Sequence, residues 1–85
     1  MDGFDFAAPA ELFCPTISRS RRGPLVFRRF ATSAEAIRFA VEDLDTTLLY
    51  GTVLEVDETR FDAAAIRELY ESNTFPLPRG DRRPL

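Results

Sequence analysis

The residue types that could do chemistry in this 85-residue chain are few, and their spacing rules out most reactions. Histidine is absent, which removes the commonest general base, the usual activating partner of a Ser or Cys nucleophile and the commonest nitrogen ligand for zinc. Cys14 is the single cysteine. Arginines near it in sequence would favour its thiolate, but a lone thiol ahead of Pro15 with no neighbouring acid reads first as a small packed residue. Asp57 and Glu68 stand at the first and twelfth positions of a calcium-loop spacing. The loop fails internally, because Phe61 and Asp62 occupy the places that need an oxygen ligand and a glycine. Glu55, Asp57 and Glu58 are the carboxylates that could gather a divalent ion or act as an acid/base pair, and they read more simply as a solvated connector. The four glycines are scattered singly at 3, 23, 51 and 80, so no phosphate-cradling loop exists. The expectation is therefore a non-enzyme with no catalytic residues, no cofactor, no metal and no small-molecule substrate.

One chemically distinctive stretch remains. Arg19, Arg21, Arg22, Arg28 and Arg29 are interleaved with Phe27 and Phe30, a mixture in which guanidinium groups meet phosphates while bases stack on rings. This points to RNA or single-stranded DNA as a possible ligand. Against it stands the net charge of −3, since an acidic chain binds a polyanion only when its acids face away. The charge is also unevenly spread: residues 1–30 carry +2, residues 31–75 carry −7 and the last ten carry +2. All the basic residues are Arg, which reflects genome composition more readily than bidentate chemistry.

The elements that must position these groups centre on Pro24 to Val56. Residues 25–30, after the turn signal Gly23-Pro24, read as a strand. Thr32-Ser33-Ala34-Glu35 matches a capping box, and Ala34, Ile37, Ala40, Val41 and Leu44, extending to Leu48, form the buried stripe of a helix. Residues 50–56 return to period two, with Tyr50, Thr52, Leu54 and Val56 on one face and Val53 and Glu55 on the other. Upstream, residues 11–14 read as a short edge strand stopped by Pro15, joined to 25–30 by a long basic hairpin loop. Downstream, Asp57–Arg60 reads as a polar connector. Asp62 then N-caps a second helix, with a Phe61/Ile66 staple, an apolar stripe of Ala63, Ile66, Leu69 and Tyr70, and Asn73 as a left-handed cap. The expected fold is a small two-layer α+β domain in the order ββαβα, with two or three short strands packed by two helices. Residues 1–10 form an arm that Phe4 and Phe6 could dock, 11–75 the domain, and 76–85 a tail.

An apolar share of 45% suffices for one thin core in a chain of this size. No apolar run reaches the roughly 18 residues of a membrane span. A single cysteine excludes an internal disulfide framework, and the absence of a charged, then apolar leader points to the cytoplasm.

The run Ala34-Glu35-Ala36-Ile37-Arg38-Phe39-Ala40-Val41-Glu42-Asp43, with Leu54 to Asp62 and Ile66 to Tyr70, resembles a group of short uncharacterised alphaproteobacterial proteins over about half the chain. The resemblance implies a complete small bacterial protein and transfers no functional residue.

The sheet itself supplies the leading functional expectation. If the helices cover one face through Val26, Phe30, Leu54 and Val56, then Leu25, Phe27 and Val53, with Phe13, stay on the open face beside Arg29 and Glu55. Phe39 adds to this, lying about 200° round its helix from Ile37 at about 100° per residue. Half-apolar patches of this kind mark partner surfaces. The expectation is a protein-interaction module that binds a protein partner or itself through Phe27, Arg29, Phe39 and Val53.

Overall fold

The computed structural model describes residues 4–18, 21–22 and 24–78. It is a compact α+β domain: a four-stranded antiparallel sheet with three helices among the described residues. The strands are β1 (Ala10–Cys14), β4 (Val26–Phe30), β5 (Val53–Val56) and β6 (Thr59–Phe61), in the order β4-β1-β5-β6. A separate two-stranded ladder, β2 (Ile17–Ser18) with β3 (Arg21–Arg22), extends the β1–β4 hairpin. Helix α1 (Ser33–Arg38) runs on into a wider π turn over Phe39–Asp43, closed by the Leu44 amide donating to the Phe39 carbonyl at 3.2 Å. Helices α2 (Thr46–Leu49) and α3 (Ala63–Tyr70) complete the chain.

Local sequence explains most boundaries. The Thr32 hydroxyl accepts from the Glu35 amide at 3.2 Å, and the Asp62 carboxylate accepts from the Ala65 amide at 3.0 Å, so each cap satisfies one donor that a helix start leaves unpaired. Ala34, Ile37 and Ala40 are buried from α1 and its π turn; Ala63, Ile66, Leu69 and Tyr70 are buried from α3. They seal Ala10, Leu12 and Cys14 of β1 and Leu54 and Val56 of β5.

Besides the β2–β3 ladder inserted in the basic loop, the architecture departs from the expected ββαβα plan at three further points. β6 replaces the expected connector: Asp57 and Glu58 take φ of 51° and 68° between the paired Val56 and Thr59, so the two-residue loop adopts the mirror-image twist that suits a hairpin. Asp-Glu lacks the glycine that normally signals such a turn. Residues 46–49 form a helical turn that Asp45 caps through the Thr47 amide at 3.3 Å, so β5 starts at Val53 and Tyr50 lies outside it. The strand at 10–14 is central, not an edge. It pairs antiparallel with both β4 and β5, which therefore run parallel to each other on either side of it. Pro15 follows the last paired residue, so it removes no ladder hydrogen bond. Asn73 is also not left-handed; α3 ends at Glu71 with φ −89°.

The segment before β1, expected as an arm, lies on the core. Ser33 and Ala34 donate their amides to the carbonyls of Ala8 and Phe6, and the Ser33 hydroxyl donates to the Asp5 carbonyl at 2.8 Å. Phe4 stacks edge-on to Phe61 and Phe6 to Phe75. Phe75 is buried and Leu77 packs on the core, so the chain is held through at least residue 77. Residues 79–85 of the expected tail lie outside the described residues.

Candidate interaction surface

Cross-strand register builds the open face. Paired residues share a face, so Ala10, Leu12 and Cys14 place Phe30, Arg28 and Val26 of β4, and Leu54 of β5, on the helix side. The alternate residues of each strand form two rows on the other side. One is charged, reading Arg29, Glu11, Glu55, Arg60 across the four strands; the other is apolar, reading Phe27, Phe13, Val53.

The charged row orders itself. Glu11 and Glu55 are directly opposed, an arrangement that is unfavourable by itself. Arg29 donates to Glu11 at 3.2 Å from one flank, and Arg60 lies 3.7 Å from Glu55 on the other. Each arginine also leans over a ring of the apolar row, Arg29 at 5.6 Å from Phe27 and Arg60 at 5.9 Å from Phe13. Phe13 and Phe27 pack tilted, with centroids 5.3 Å apart. Neither belongs to the core cluster on the helix side.

Of the residues expected to meet a partner, Phe27, Arg29 and Val53 share this face. Phe39 does not. It is half-buried on the helix side, 5.5 Å from the Phe30 ring and capped by the Arg28 guanidinium at 4.5 Å. An angular reading treats a helix flank as solvent, but here the flank lies over the edge strand, whose Phe30 and Arg28 rise to meet it. Glu11 and Arg60 were missed. Arg60 became visible only with β6, and the Thr59-Arg60-Phe61 alternation that encodes it is too short to stand out from a connector.

Among the described residues, the exposed large apolar ones are Leu25 at 62%, Val26 at 41%, Phe27 at 50% and Tyr50 at 73%. All lie at the sheet end where β1 finishes: Cys14 pairs with Val26, Thr16 donates to the Pro24 carbonyl at 2.8 Å, and Pro15 abuts Gly51. The opposite end is acidic. There a solvent-open hollow of about 210 Å³ lies between Arg29, Glu11, Glu55 and the 57–58 turn. Among the described residues, no three His, Cys, Asp or Glu side chains converge to hold a metal ion.

The arginines expected to follow a nucleic acid are divided. Arg28 and Arg29 point to opposite faces, each over a ring of its own chain. Only the backbone pairing of Arg21 and Arg22 is described, and Arg19 lies outside the described residues. Cys14 is buried on the helix side, and burial pushes its thiol above the ordinary value, outweighing a hydrogen bond with Thr52 and the positive charge of Arg28. The arginine neighbourhood thus fails to make it a thiolate.

Family models, curated proteins and solved structures give no match to this chain. Geometry alone must therefore carry the functional reading. No helix among the described residues is long and apolar enough to cross a membrane.

Proposed function

We propose that this chain is a non-catalytic protein-interaction module of the bacterial cytoplasm whose contact surface is the open sheet face, centred on Phe27, Phe13 and Val53 and framed by Arg29 and Arg60. The observation that carries the reading is the apolar row itself. Three large side chains stand side by side on a face that no described helix covers, with two guanidinium groups and two carboxylates arrayed beside them. Aromatic residues and arginine around an apolar centre are the composition that partner surfaces favour. Phe39 belongs to the core flank and is no part of this surface.

A photo-crosslinking side chain at Val53 tests the reading. The expected result is a discrete adduct, retained in high salt and lost when Phe27→Asp is added. Crosslinking that is absent, or indifferent to Phe27→Asp, would count decisively against it. The alternative, a single-stranded nucleic-acid binder acting through Arg19, Arg21, Arg22, Arg28 and Arg29, predicts oligonucleotide binding that collapses between low and moderate salt as counterions are released.

A further inference from the structure

The sheet has two edges, and they are protected unequally. β6 has three residues, and short edge strands resist pairing. β4 has five residues and, among the described residues, a single hydrogen-bonded neighbour, β1. Val26 to Arg29 are exposed on both faces of the sheet, and Leu25, Val26 and Phe27 form a consecutive exposed apolar run. Charged side chains commonly blunt such an edge. Here they are drawn back into their own molecule: Arg28 lies over Phe39, and Arg29 turns towards Glu11 and Phe27.

We infer that β4 pairs antiparallel with β4 of a second copy of this chain, joining the two four-stranded sheets into one of eight strands. The inference goes beyond the open-face reading: it concerns the strand edge, and the two can fail independently. Two observations favour a second copy at the edge over a copy stacked on the open face. The charged row reads plus, minus, minus, plus, so a copy stacked over it in full register by a two-fold axis along the strands or along the row sets like charge on like charge. The edge is self-complementary instead. A two-fold axis normal to the sheet keeps each face on its own side, so pairing must be centred on a residue and not between two. Centred on Val26, it sets Val26 against Val26 of the second copy and Leu25 against Phe27, apolar on apolar. It also sets each Arg28 against Pro24, which keeps the arginines of the two copies apart. The strand edge supplies main-chain donors and acceptors, as in other strand-addition contacts. The contact is small, so the dimer is a dissociating one.

Sedimentation of the intact chain across a concentration series tests this. A dimer fraction that rises with concentration and withstands salt is expected. Val26→Asp, an exposed change on the helix side of the edge, should return a folded monomer by circular dichroism. Val53→Asp, on the open face away from the edge, should leave the dimer intact. Register is read in a Cys14→Ala background, because Cys14 is the cross-strand neighbour of Val26: adding Val26→Cys should give a covalent dimer with oxidised glutathione, and adding Tyr50→Cys should not. A chain monomeric at every concentration would overturn edge pairing while leaving the Val53 adduct to stand or fall separately. A dimer that survives Val26→Asp but is lost with Val53→Asp would overturn it as well.

Discussion

Leu12 and Phe13 are adjacent on β1, yet Leu12 is fully buried in the helix-side core while Phe13 stands half-exposed beside Phe27. The contrast holds along the sheet. Leu54 is sealed where Val53 is not, and Cys14 is sealed where Glu11 and Glu55 carry charge to solvent. One alternation thus serves two ends. The covered face holds the fold, and the open face is released from that duty and can carry recognition.

The most direct way to break this comparison is to truncate both neighbours. Leu12→Ala or Leu54→Ala should cost about 2–5 kcal/mol, because each removes a fully buried side chain and leaves a cavity. Phe13→Ala should cost nearer 1 kcal/mol, the worth of a partly exposed ring with one aromatic partner. Urea denaturation measures both. Equal costs would mean that the open face is structural after all.

The β5–β6 turn sharpens the comparison from the side of backbone strain. Glu58→Gly should raise stability by about 1 kcal/mol, since a left-handed residue with a side chain is held there at a cost. Loss of stability by the same measurement would show that the Glu58 side chain holds the turn by a contact worth more than the strain.

Cys14 gives the covered face a pH signature. Its thiol is raised above its ordinary value of 9.0, so the neutral form is favoured in the folded state. That stability is present below pH 9.0 and fades as pH climbs through the higher folded value. Wild type should therefore lose stability relative to Cys14→Ala as pH rises above 9.0, read from urea midpoints. A parallel pair of curves would place the thiol in contact with water.

The smallest expected effect is on the open face. Arg29→Ala should change stability by less than about 0.5 kcal/mol, because its ion pair with Glu11 is solvent-exposed. A larger loss would make the charged row a part of the fold.

Much of the covered face was legible in the chain. Helix stripes at spacings of three and four, and caps at Thr32 and Asp62, are local signals that survive in the folded state because packing and propensity agree. The placement of Phe27, Arg29 and Val53 on one face also followed from strand alternation. What escaped had non-local causes. β6 depends on a turn whose residues must adopt positive φ without glycine, and Phe39 is covered by residues of a strand nine and more positions earlier.

Composition, period and capping chemistry were enough to specify a small α+β domain, its helices and the alternation of its strands, because those properties are set by contacts within a few residues. Strand order, the central place of β1, the docking of Phe4 and Phe6, and the row of Arg29, Glu11, Glu55 and Arg60 were decided only by the folded chain. Each requires two or more segments distant in sequence to meet, and which segments meet is settled by the burial of the whole, a quantity no single stretch contains.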